Sequence, residues 1–248
     1  MPSVFSELKK LREKRQDEGP WMWTNASVLA VDVEVSAEVA SSWLPGGLRM
    51  ARPAKATIFV ADYPETSFGV VYREAAVLLH VKLGFRDAVH CPWMLVDDDV
   101  ALILGRELFG YPKKMGEISL RIDDGSVRAT VDRKGTRLVD ISGSLGAEDP
   151  EAPPLFGRVT ANVWGLLGLT LPKLIRFSPR EEITSARTAV LSVEVKGSEY
   201  DPLQELEVGS VLGARLYRAN FGDEKGLPLP VLPVRPVYTF RNWALRYG

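Results

Sequence analysis

The chain has one cysteine, Cys91, so no intrachain disulfide can brace it, and a reducing compartment is the expectation. Histidine is almost as scarce. His80 and His90 are the only two, and His90-Cys91 is the sole His/Cys pair, so no zinc-ligand spacing can be assembled and no metal site is expected. An excess of one charge is missing too. The 31 Lys and Arg stand against 32 Asp and Glu, which gives no support for a nucleic-acid or membrane-surface partner. No run of about 18 apolar residues occurs, so no spanning helix is expected. Residues 1–16 are charged rather than apolar, unlike a secretory leader. The glycines form neither a dinucleotide nor a phosphate-loop fingerprint, and no Gly-x-Ser-x-Gly elbow is present. A soluble, cytoplasmic protein is the expectation.

What is present is enough apolar material for a sizeable core, at 46% of residues. Strand patterns dominate. Val31, Val33 and Val35 alternate with Asp32 and Glu34, and residues 56–62 form an apolar, partly β-branched run. Residues 117–143 read as a three-stranded meander, with Asp124-Gly125 and Lys134-Gly135 as turns between alternating runs. Leu191, Val193 and Val195 alternate with polar neighbours in a further strand. Helical signals are fewer: a charged segment behind Ser3, a short helix between Ser36 and Pro45, residues 159–167, and a helix starting at Asp201-Pro202. Residues 222–236 are rich in Pro and Gly and read as extended or loop. No repeat or linker divides the chain. One domain spanning 1–248 is expected, mainly β (α+β), as an antiparallel cone or barrel with a few peripheral helices.

The most informative stretch is Gly105-Arg106-Glu107-Leu108-Phe109-Gly110-Tyr111-Pro112-Lys113-Lys114-Met115-Gly116. The apolar run 100–104 leads into it and reads as a strand, which would set two lysines among buried elements. A free lysine has a pKa of about 10.4, so only about 0.04% is the neutral amine that can attack a ketone at pH 7. Bringing the pKa near 7 costs roughly 4–5 kcal/mol in the balance of the two protonation states. Burial and a neighbouring cation are the two means. Adjacent residues of an extended strand point to opposite faces, so desolvation is expected to matter more than the neighbour's charge. Taken by itself, a Pro-Lys-Lys is more often a solvated turn.

The Gly-Arg-Glu-Leu-x-x-Tyr-Pro-Lys-Lys-x-Gly string resembles the signature around the Schiff-base lysine of the acetoacetate decarboxylase family. Gly19-Pro20-Trp21 followed by Asn25, then Thr66-Ser67 and Tyr72-Arg73-Glu74, resemble further segments of that family. So does the stretch from Pro202-Leu203 through Leu229 to Val237-Tyr238. The resemblance implies that Lys113 is the Schiff-base residue, Lys114 its pKa-modulating neighbour and Glu74 a pocket carboxylate. It also implies a mainly β cone or barrel, a small keto-acid substrate, no cofactor and a homo-oligomer.

Two positions depart from the family. Ala26 stands where the decarboxylases carry an arginine, and Phe59 or Val60 where they carry a glutamate. Losing both members of a charged pair leaves no unpaired buried charge. Arg73 and Arg106 are candidate replacement anchors for a substrate carboxylate. Tyr111 and Tyr238 are candidate proton donors, with packing as the commoner role for both. Asp97-Asp98-Asp99 reads as a solvated turn. The expected activity is decarboxylation of a β-keto acid through a lysine iminium. The alternatives are a pyruvate aldolase-dehydratase using the same iminium, and a non-catalytic binding relative that kept the fold.

Overall fold

A computed structural model of the chain describes residues 22–156, 158–165, 172–222, 229–235 and 237–248. The helix expected behind Ser3 and the Gly19-Pro20-Trp21 segment lie outside the described residues. So do residues 166–167 of the expected second helix and residues 223–228 and 236 of the Pro/Gly-rich stretch.

Alternating and β-branched runs dominate the sequence, and strands dominate the fold. In chain order they are β1 (Met22–Glu34), β2 (Leu48–Met50), β3 (Lys55–Tyr63), β4 (Glu65–Thr66), β5 (Tyr72–Leu83), β6 (Arg86–Val96), β7 (Lys113–Met115), β8 (Glu117–Asp123), β9 (Ser126–Arg133) and β10 (Thr136–Glu148). Then come β11 (Val159–Trp164), β12 (Lys173–Phe177), β13 (Arg180–Val195), β14 (Val211–Gly222) and β15 (Leu229–Pro233). The helices are short: α1 (Ala37–Ser42), α2 (Asp99–Phe109), α3 (Val237–Arg241) and α4 (Trp243–Tyr247).

All the described strands join one sheet in the order β15-β12-β11-β6-β5-β3-β1-β14-β13-β10-β9-β8, with β2 on β5, β4 on β1 and β7 on β6. Pairing is antiparallel except for β11 and β7, which both run parallel to β6. The ladder is open, ending at β8 and β15, yet β8 folds back to touch β3, β5 and β6. The roll is therefore completed by packing rather than by hydrogen bonds. The hairpins sit as the turn residues dictate. Lys134 and Gly135 both have positive φ, 49° and 74°, as a two-residue turn between right-twisted strands requires.

Period-2 alternation gives the central strands two apolar faces. Ile58 and Val60 of β3 and Val77 and Leu79 of β5 face one core, shared with Val127, Ala129, Leu138 and Ile141 of the meander. Phe59, Ala61, Ala76 and Leu78 face the other, shared with Tyr63, Tyr72, Met94, Ala101 and Phe156. Candidate chemistry gathers on this second face.

Four local expectations are corrected. Residues 100–104 belong to helix α2, not to a strand. Asp98 is its N-cap, accepting from Ala101 N at 2.8 Å, and Gly110 ends it with φ 65°, so the acidic run is a helix start rather than a solvated turn. The expected helix at 159–167 is strand β11 as far as Trp164. Val159, Thr160 and Val163 are β-branched, and a short apolar run does not separate helix from strand by periodicity. The helix at Asp201-Pro202 is only a 3-10 turn, Leu203–Leu206, because the Asp201 carboxylate is used elsewhere.

Both histidines are buried and hydrogen-bonded within the fold, His80 through Nε2 to Thr57 Oγ1 at 2.8 Å and Nδ1 to Arg158 Nη1 at 3.0 Å. His90 is fully buried, with Nδ1 2.8 Å from Ala161 O and Nε2 3.1 Å from Tyr238 Oη, so Tyr238 packs against the imidazole. Burial pushes His90 down to about 4 from 6.5. The unfolded imidazole takes up its proton near pH 6.5 and the folded one near 4, so the unfolded state binds more protons between those values. Stability is expected to fall as pH drops through this window, by about 3 kcal/mol from His90. Denaturant melts from pH 7 to 4 would check this, with a flatter curve for His90→Gln.

Candidate active site

Helix α2 and strand β7 fix Lys113. The helix buries Ala101, Gly105 and Phe109, one face at four-residue spacing. After the Gly110 turn, Tyr111 N–H donates to Gly105 O at 3.1 Å, and the chain enters β7 beside β6. Arg106 Nη1 donates to Lys113 O at 2.8 Å. Gly105 is required here. A Cβ at that position would overlap Lys113 Cδ and Cε and lie 2.9 Å from Nζ, so the lysine side chain occupies the space that the glycine leaves.

Lys113 Nζ sits 2.6 Å from Glu74 Oε2, and both side chains are 6% exposed. Glu74 comes from β5, two strands from β7 across β6. The pair lines a cavity of about 70 Å³. Its walls are aromatic, including Trp23, Tyr63, Tyr72, Tyr111, Phe156 and Phe221. The Tyr72 ring faces Lys113 Nζ at 5.1 Å, and Phe156 packs edge-on against Phe59 and Phe221. Burial is the leading cause that raises the Tyr63, Tyr72 and Tyr111 phenols, with Glu74 adding to it in each, so all three stay protonated.

Lys114 points to the other side of β7. The register pairs Lys113 with Met94 and Lys114 with Leu95, and those two belong to opposite cores. Lys114 Nζ donates to Asp201 Oδ1 at 2.5 Å, to Ala244 O at 2.9 Å and to Tyr200 O at 3.2 Å. Asp201 also accepts from Arg133 Nη1 and Trp93 Nε1, each at 2.8 Å. Burial pushes Lys114 down to about 8 against the pull of Asp201. Burial raises Asp201, but its bonds from Lys114, Trp93 and Arg133 outweigh that and hold the carboxyl below its ordinary value. Lys114 thus ties α4 and the Asp201 turn to β7.

The other residues singled out from sequence divide. Tyr111 lines the cavity. Ala26 and Phe59 are fully buried in the core beneath it and do not line it, and Val60 faces the opposite core. Arg73 and Arg106 are not cavity residues. Arg73 is held outside by Asp62 at 3.1 Å and Asp97 at 3.5 Å, while Arg106 braces the Lys113 and Arg246 carbonyls. Sequence reasoning missed Tyr63, Gly105 and Asp201 and gave Tyr72 no role. A left-handed Asn25, φ 56°, sits in a register break of β1 that lets residues 23–24 pair with β4, bringing Trp23 to the cavity. Among the described residues no cluster of three or more His, Cys, Asp or Glu could hold a metal.

The arrangement matches known proteins. The acetoacetate decarboxylase family model matches residues 10–227. Acetoacetate decarboxylase of Chromobacterium violaceum is 26% identical over 207 residues, covering 79% of this chain and 83% of that protein. A solved acetoacetate decarboxylase has a TM-score of 0.79 at 19% identity, covering 87% of this chain and 90% of that one. The enduracididine biosynthesis enzyme MppR, complexed with the condensation product of pyruvate and imidazole 4-carboxaldehyde, has a TM-score of 0.75 at 19% identity, covering 86% and 90%. At these identities the structural matches carry the fold.

Two substitutions separate the roles of the neighbouring networks. Gly105→Ala adds helix propensity but pushes the lysine tip aside. A displacement of a reacting group by about 1 Å costs on the order of a hundredfold in rate, so labelling of Lys113 by a ketone and borohydride is expected to slow greatly, and loosening the buried Lys113–Glu74 pair is expected to lower the melting temperature as well. Asp201→Ala removes the carboxylate partner of the buried Lys114 and of the partly buried Arg133 and is expected to cost about 3–5 kcal/mol in denaturant melts.

Proposed function

The chain belongs to the acetoacetate decarboxylase family, and on that premise we propose that it is a carbon–carbon lyase working through a Schiff base between Lys113 and a keto acid. The observation that carries the reading is the buried Lys113–Glu74 pair, 2.6 Å apart, in a small aromatic cavity. No other charged side chain among the described residues lines that cavity.

The chemistry follows from the pair. Glu74 takes a proton from the Lys113 ammonium, and the neutral amine attacks the substrate ketone. The carbinolamine loses water, with Glu74 returning the proton to the departing oxygen, and an iminium forms. In a β-keto acid the bond to the carboxylate then breaks. Carbon dioxide leaves, and its bonding electrons move to the iminium nitrogen as an enamine. Protonation of the enamine carbon and hydrolysis release the ketone and restore Lys113. No step calls for a cofactor.

A second reading uses the same amine. Proton loss beside a pyruvate iminium gives an enamine that attacks an aldehyde, and dehydration follows. Two observations favour keeping it: the described cavity wall holds no arginine, and a structural neighbour carries a pyruvate–aldehyde condensation product. A non-catalytic role fits less well, because a binding pocket has no need of a buried amine paired with a carboxylate.

Borohydride reduction in the presence of acetoacetate or pyruvate is expected to attach the substrate carbon skeleton to Lys113, located by mass spectrometry, and Lys113→Arg is expected to abolish the adduct. Carbon dioxide release from acetoacetate supports decarboxylation. A dehydrated product from pyruvate and an aldehyde supports the second reading. No adduct with any keto acid would sink both.

A further inference from the structure

Trp23 and Tyr72 reach the cavity from different strands and meet there, the indole Nε1 lying 2.9 Å from the phenol oxygen. An indole N–H is only a donor, so the Tyr72 oxygen is the acceptor in this bond. The Tyr72 proton is therefore left to be donated elsewhere, and none of the hydrogen bonds among the described residues takes it. Tyr63 packs on the Tyr72 ring with centroids 4.7 Å apart, and Lys113 Nζ lies 5.1 Å from the same ring's centroid. Tyr72 is 5% exposed and lines the cavity. Among the described residues the acceptor side of this buried hydroxyl is occupied and its donor side has no partner, in a wall of the cavity that holds the amine.

We infer that the Tyr72 hydroxyl, held by the Trp23 indole, donates a hydrogen bond to the carboxylate of the keto acid bound at Lys113. The inference rests on the Schiff-base reading and adds a substrate contact to it. It also gives the cavity a neutral means of orienting an anion where no guanidinium among the described residues lines the wall. A neutral donor favours the carboxylate less strongly than a cation would. It therefore holds back less against the loss of negative charge as carbon dioxide departs. Trp23 acts through Tyr72 and is a positioning residue.

The test compares a substrate that has the carboxylate with one that lacks it. Borohydride trapping on Lys113 would be measured over a range of acetoacetate, pyruvate and acetone concentrations for the wild type, Tyr72→Phe and Trp23→Phe. For Tyr72→Phe the half-saturating concentration of either keto acid is expected to rise about tenfold or more, with the acetone curve unchanged. Trp23→Phe is expected to show the same selective shift at smaller size, because the rotor is freed but the donor remains. The idea is overturned if Tyr72→Phe leaves the keto-acid curves in place. It is overturned equally if the acetone curve moves as far, since that would mark a packing role. Should Tyr72→Phe fail to fold, the selectivity of Trp23→Phe decides by the same criteria. No wild-type adduct with any of the three compounds would instead remove the Schiff-base reading on which the contact rests.

Discussion

Two opposite charges held 2.6 Å apart and out of water, Lys113 on β7 and Glu74 on β5, set the terms for the rest of this structure. Taking either charge from water alone costs several kcal/mol, and only close geometry between the two offsets it. That geometry depends on β6, the strand between them, which pairs antiparallel with β5 and parallel with β7. A parallel partner needs a crossover, and α2 supplies it. The helix that closes the cavity is thus also the connection that allows β7 to lie where it does.

The same strand separates two lysines with different work. Alternation along β7 sends Lys113 to the aromatic face and Lys114 to the opposite core, where Asp201 satisfies it. Asp201 is shared with Arg133 and Trp93, so one carboxylate joins β6, β7, β9 and the turn before Leu203. The Lys114 charge is spent on anchoring. The arrangement ties β7 to its neighbours on the face opposite the Lys113 amine. Arg106 strengthens this from the helix side through the Lys113 carbonyl.

The cavity around the amine is built from rings rather than charges. Phe59, in the core below, supports Phe156, and Phe156 supports Phe221, each edge to face at 5.1–5.3 Å. Such a wall lowers the local dielectric, which strengthens every electrostatic interaction inside it. The phenols of Tyr63, Tyr72 and Tyr111 remain protonated there, so they can donate hydrogen bonds without adding a third charge.

The sequence by itself determined the mainly β class, the meander with its Lys134-Gly135 turn, and the family to which the segment around Lys113 points. Each is legible because its signal is local: alternation of period 2, a glycine at a turn, or a short string of residues. The strand read at residues 100–104 failed although local signals for a helix were present, in Asp98, Gly110 and the four-residue spacing of Ala101, Gly105 and Phe109. An apolar run simply outweighed them. Only the tertiary structure decided which charges meet. Glu74 was named from the resemblance of Tyr72-Arg73-Glu74 to a family segment, but its pairing with Lys113 spans β5, β6 and β7. Asp201 lies 87 residues from Lys114 and read as a helix cap. Arg73 and Arg106 looked available and are taken by other partners. Tyr72 and Trp23, 49 residues apart, meet at a cavity that neither local pattern describes. Periodicity gives the face on which a side chain lies, whereas its partner depends on how the strands are ordered in the sheet.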